Sequence, residues 1–218
     1  MSGLWKTGRL RSLAGVLVAG VFMVTGLSGT AAYATETAAL AAAPQLGIQF
    51  NADGDAGQCG GATGEQWAAS PDWTQAIRFD TDNRAGGCQL AFGVYDPDST
   101  LAGSSISYSL QPSTSDAASQ CGSARGPYSA PIFPIPVFGQ AVRVDTDNQP
   151  GWCNLTFAVT GRIVLDVQFY ADGDVGQCPD AQPAGQYRSA FAGTPLTVKI
   201  DADGRSGGCQ LQLRLRHF

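Results

Sequence analysis

Lysine, glutamate and histidine are nearly missing from this 218-residue chain, which holds two Lys, two Glu and one His. Glu and Lys favour helices, whereas Asp, Asn and Gly favour turns, and nearly all the acid here is Asp. A helical bundle is therefore excluded, and strands joined by turns are expected. The single His, His217, stands one residue from the end, where a catalytic base is poorly placed. No phosphate loop occurs, and nothing sets one Asp pair apart as catalytic, so the sequence reads as non-catalytic, with no cofactor.

Long apolar runs are scarce as well. The one that stands out, Leu13 to Leu27, follows the cations Lys6, Arg9 and Arg11 and precedes small residues ending in Ala32-Tyr33-Ala34. That is the order of a secretory signal peptide over residues 1–34, cleaved after Ala34. The run falls short of the roughly 20 residues of a membrane span, and no other stretch is long enough, so no membrane partner is expected. From Thr35 onward, ten Lys and Arg face eighteen Asp and Glu, a net charge near −8. Such a balance repels polyanions and argues against nucleic acid. All six Cys lie beyond the leader, which in an exported chain predicts three disulfides.

Against these shortages stands an internal repeat. Ile48-Gln-Phe-Asn-Ala-Asp-Gly-Asp-Ala-Gly-Gln-Cys59 returns as Val167-Gln-Phe-Tyr-Ala-Asp-Gly-Asp-Val-Gly-Gln-Cys178. Ile77-Arg-Phe-Asp-Thr-Asp-Asn-Arg-Ala-Gly-Gly-Cys88-Gln-Leu returns twice, ending at Cys153-Asn-Leu and at Cys209-Gln-Leu. The units span residues 46–95, 104–160 and 163–216, after an Ala-rich arm at 35–45 that is expected to be flexible. The middle unit has drifted in its first half and carries an insertion, Pro131 to Pro136, which reads as an extended loop or sheet edge.

After the second Cys of each unit, apolar residues alternate with small or polar ones, as in Cys209, Leu211, Leu213 and Leu215. Period two marks a half-buried strand. The residues before each Asp pair alternate too, and the Asn and Gly between these two strands suit a hairpin turn. No unit can bury its apolar face alone. One all-β domain over 46–218 is therefore expected, with three tandem repeats about a pseudo-threefold axis, β-trefoil or β-prism-like; a β-sandwich is the alternative. Equivalent units should make equivalent bonds, which pairs Cys59 with Cys88, Cys121 with Cys153 and Cys178 with Cys209, one disulfide per repeat. A chain of bonds between neighbouring units is the other possibility.

Five Asp-x-Asp pairs recur: Asp53/Asp55, Asp80/Asp82, Asp145/Asp147, Asp172/Asp174 and Asp201/Asp203. Paired carboxylates can hold calcium, but each pair offers two acids where the ion wants six to eight oxygens. Capping of turn amides explains the recurrence better, and no metal site is expected. Trp67, Tyr128 and Tyr187 recur after the first Cys of each unit, as core plugs or as sugar-stacking rings in a carbohydrate-binding lectin. Trp73 and Trp152 have no counterpart in the other units, so the repeat does not require them, which makes them candidates for partner contact or for local packing.

The Arg-Phe-Asp-Thr-Asp-Asn-Arg-Ala-Gly-Gly-Cys-Gln-Leu signature, the export signal and the Ala-rich arm resemble small secreted actinobacterial proteins, the adaptor subunit of Streptomyces umbrella toxin particles among them. That resemblance implies a protein bridging a lectin-like and a ring-forming subunit of an extracellular antibacterial toxin assembly. It puts partner contacts on the arm, at Thr35, Glu36, Thr37, Leu40, Pro44 and Leu46, with Trp73 and Trp152 added from the repeat comparison. A protease inhibitor presenting residues 131–136 is a further alternative.

Overall fold

Alternation of apolar and polar residues builds fourteen strands among the described residues. The computed structural model describes residues 42–218 except 55, 81–85, 114–120, 124, 146–150, 174 and 202–206. The first unit supplies β1 (Gln45–Ala52), β2 (Cys59–Gly61), β3 (Gly64–Ala69), β4 (Ile77–Asp80) and β5 (Gly87–Tyr95). The second supplies β6 (Ser105–Pro112), β7 (Tyr128–Ala130), β8 (Ile132–Phe133), β9 (Val142–Asp145) and β10 (Trp152–Thr160). The third supplies β11 (Ile163–Ala171), β12 (Arg188–Ala190), β13 (Leu196–Asp201) and β14 (Gly208–His217). The chain is all-β, and no helix among the described residues is long and apolar enough to cross a membrane.

Three sheets form, with orders β3-β1-β5-β8, β7-β6-β10-β13 and β12-β11-β14-β4-β2, and β9 also pairs with β5. The hairpin expected between the strand before each Asp pair and the strand after it does not exist. β4 pairs with β14 and β2, β9 with β5, and β13 with β10. Each unit thus lends strands to the sheet of another: β4 and β2 go to the third unit's sheet, β8 and β9 to the first unit's, and β13 to the second unit's. The strands on either side of each Asp pair therefore belong to different sheets.

The registers agree around all three sheets. Cys88 faces Ala52 and Val144, Cys153 faces Pro112 and Ile200, and Cys209 faces Ala171 and Phe79. In the drifted first half of the middle unit, Ser105–Pro112 forms β6. Ile106, Tyr108 and Leu110 of β6 are buried and sit opposite Val159, Phe157 and Leu155. Residues at the predicted inward positions of β5, β10 and β14 are nearly all fully buried, including Leu90, Phe92, Leu155, Phe157, Leu211 and Leu213. The three bonds within units are present, with Cα–Cα distances of 5.7, 5.5 and 5.7 Å. Three disulfides are a mark of an oxidising compartment.

Candidate functional site

The repeated Asp residues secure the borrowed strands. Asp53 accepts a hydrogen bond from the Gly87 amide at 2.7 Å, and its backbone amide donates to the Gly87 carbonyl. Asp172 repeats this with Gly208, also at 2.7 Å. Each of these carboxylates then meets an arginine carried on the strand lent by another unit, Arg143 for Asp53 and Arg78 for Asp172. The hydrogen bond from Arg143 holds the Asp53 carboxyl below the usual carboxylate range, against the upward pull of burial. A Cβ on Gly87 or Gly208 would meet the carbonyl of Val144 or Phe79 and crowd the crossing guanidinium.

Trp152 takes the third version of this contact. It occupies the place of Gly87 and Gly208, and Ser113 stands where the other sheets have Asp53 and Asp172, its hydroxyl accepting from the Trp152 amide at 3.1 Å. The crossing cation is Lys199, whose Nζ lies 5.3 Å from the Trp152 ring centroid. A cation–π contact replaces the ion pair. Trp152 thus joins units, a role that comparing single units could not reveal. Asp80 and Asp201 are buried, whereas Asp55, Asp82, Asp147, Asp174 and Asp203 lie outside the described residues. Among the described residues no group of three or more His, Cys, Asp or Glu is placed to hold a metal.

The arm residues fare differently. Thr35, Glu36, Thr37 and Leu40 lie outside the described residues. Pro44 and Leu46 are buried, and Leu46 is a core side chain of β1 facing Val94 across the sheet. That corrects the expectation of a partner contact at Leu46, because a side chain packed into the sheet interior offers nothing to another molecule.

The three recurring aromatics are not structural equivalents. Gly47 sits opposite Trp67, Ser107 opposite Ser129, and Asp166 opposite Ser189, so Ser129 and Ser189 are the counterparts of Trp67. Trp67 lies on Gly47, whose missing Cβ would fall 2.5 Å from the ring, and packs against Phe138 at 4.9 Å. Tyr128 packs against Tyr108, and Tyr187 precedes β12 and is exposed.

Trp73 belongs to a charged cluster on the β12-β11-β14 sheet. Its ring meets Tyr187 edge to face at 5.7 Å, and the Arg214 guanidinium lies against both, 4.5 and 4.8 Å from their centroids. Beneath them Asp166 is fully buried. It accepts from Nε and Nη2 of both Arg214 and Arg216 and from the Ser189 hydroxyl, at 2.7–2.9 Å. Burial pulls its pKa upward, but the bonds from Arg216, Ser189 and Arg214 outweigh that and hold it low. A group whose pKa is lowered by folding stabilises above its unfolded pKa of about 3.9, and that contribution fades as pH falls further. Thermal melting should therefore drop below about pH 4, and Asp166→Asn should flatten that acid limb. At neutral pH the substitution should cost on the order of 2 kcal/mol, less than for a sealed pair because both guanidiniums reach solvent.

The Pro-rich insertion makes a concave feature of the surface. Backbone amides of Val94 and Asp96 donate to the carbonyls of Pro131 and Phe133, and that of Gly139 donates to Phe92. The buried Tyr108 hydroxyl donates to the Gln140 carbonyl at 2.6 Å. Tied at these points, the segment covers part of β5, and Ala91 is buried on the face that alternation would leave wet. Beside the insertion lies a groove of about 730 Å³, lined by Tyr128, Ser129, Phe133, Ile135 and Phe138 among others. No charged residue lines it, and Phe133 and Ile135 are 52% and 60% exposed. Alternating Pro with large apolar residues was the sequence signal for this segment; the groove depends on pairing with β5. No protein family, curated protein or solved structure gives a significant match to the chain.

Proposed function

We propose that this is a secreted, non-catalytic binding protein, an adaptor between other secreted proteins, whose groove beside β7 seats an uncharged apolar segment of a partner protein. The observation that carries it is the exposure of Phe133 and Ile135 on a segment tied down by backbone hydrogen bonds. Large apolar side chains held rigidly at a surface lose little entropy on association and serve as anchors. The absence of charge along the groove in an acidic protein selects an apolar occupant, and its volume falls in the range of about 300–1,000 Å³ typical of binding pockets. The leader sequence and three disulfides support export. The matching registers of the sheets support a pseudo-threefold, prism-like reading of the three repeats. In an umbrella-type toxin assembly, which the sequence resembles, the partners are the lectin-like and ring-forming subunits.

Replacing Phe133 and Ile135 together with Asp should weaken partner binding by at least about 2 kcal/mol, roughly thirtyfold in Kd. The measurement is affinity of the purified protein for the subunits it captures from culture medium, with circular dichroism to verify the fold. Unchanged affinity in the double variant would remove the groove from the account. Inhibition of a secreted protease that is lost in the variant would turn the same loop into an inhibitor loop.

A further inference from the structure

The Asp166 cluster is not something the fold needs. In the sheet centred on β1 and β5, the positions matching Asp166 and Arg214 are Gly47 and Gly93. In the sheet centred on β6 and β10 they are Ser107 and Ala158. Two of the three sheets thus form with no charge at these positions. Burying a carboxylate is costly even when it is paired, so its presence on one sheet alone calls for a use other than folding. The cluster is also unbalanced, with two guanidiniums on one carboxylate. Asp166 engages Nε and Nη2 of each, which leaves Nη1 of each outside that contact. Arg216 keeps 40% of its side chain exposed and Tyr187 46% of its surface.

We infer that this face binds an acidic saccharide, with Arg216 and Arg214 taking its carboxylate or sulfate and Tyr187, backed by Trp73, packing against the sugar ring. Guanidinium is a planar fork suited to oxyanions, and here a buried carboxylate already fixes both forks in place. Aromatic rings beside them offer a flat apolar surface to the C–H face of a pyranose. The overall negative charge of the chain disfavours long polyanions, which leaves short acidic oligosaccharides as the fitting class.

The test titrates the mature protein with oligogalacturonate, a chondroitin sulfate oligosaccharide, maltohexaose and hexaglutamate, read by calorimetry and tryptophan fluorescence. At least one acidic saccharide should bind, more weakly as salt rises, while maltohexaose and hexaglutamate do not. The two acidic sugars separate carboxylate from sulfate as the recognised group. Tyr187→Ala and Arg216→Gln should each weaken binding about tenfold. The paired change Asp166→Ser with Arg214→Ala, which installs the residues of the second sheet, should keep the fold and lose binding. No binding of either acidic sugar, equal binding by the variants, or equal binding of hexaglutamate would overturn the assignment. The Phe133 and Ile135 variant leaves this face untouched, so each site can fail without the other.

Discussion

Reduction of all three disulfides should unfold the domain at 37 °C. The bonds close loops with sequence separations of 29, 32 and 31 residues, and each is worth about 3–4 kcal/mol in the chain-entropy account. Together, at about 9–12 kcal/mol, they are comparable to the roughly 5–15 kcal/mol by which whole domains are stable. Replacing the pair Cys178 and Cys209 with Ala should cost about 3–4 kcal/mol and leave a folded but weakened protein. The checks are denaturant titrations with and without reductant, followed by near-ultraviolet circular dichroism. A fully reduced protein that melted within a few degrees of the oxidised one would show that packing alone holds the sheets together.

Phe79→Ala is expected to cost about 3–5 kcal/mol, the usual range for a buried phenylalanine. Phe79 is fully buried and meets Phe50 edge to face at 5.2 Å. It lies on the strand that the first unit lends to the third, opposite Cys59 on one side and Cys209 on the other. The cavity therefore opens where two units meet. Hydrogen exchange should show protection falling in β14 and β1 together, although they are far apart in sequence. Loss confined to residues near 79 would mean that the lent strand is an ornament on an independent sheet.

Much of this architecture could be read from the chain because it depends on local alternation and on repetition. Leu90, Phe92 and Val94 point inward whichever strand lies beside them, and equal units make equal disulfides. Strand exchange could not be read this way, since alternation before and after each Asp pair is the same for a hairpin and for a crossover. The Asn and Gly residues suggested a hairpin from local turn chemistry, and pairing with β14, β5 and β10 overrode it. Trp152 looked unmatched because glycine holds its place in the other two units, and its partner Lys199 belongs to another unit. The candidate sites were only half legible. The insertion was visible as a departure from the repeat, but its groove is not local. The charged cluster left one clue, Asp166 between apolar residues where the aligned first unit has Gly47, but its partners Ser189 and Arg214 are brought to it only by the sheet register.

The exchange of strands between units has a consequence for survival among proteases. A single cut in the connection at 96–104 would separate the first unit from the other two covalently, because every disulfide lies within its own unit. The pieces would nevertheless stay clasped, with β4 held in the third unit's sheet and β9 in the first unit's. A nicked molecule should elute from a sizing column as one particle and fall into fragments only in denaturant.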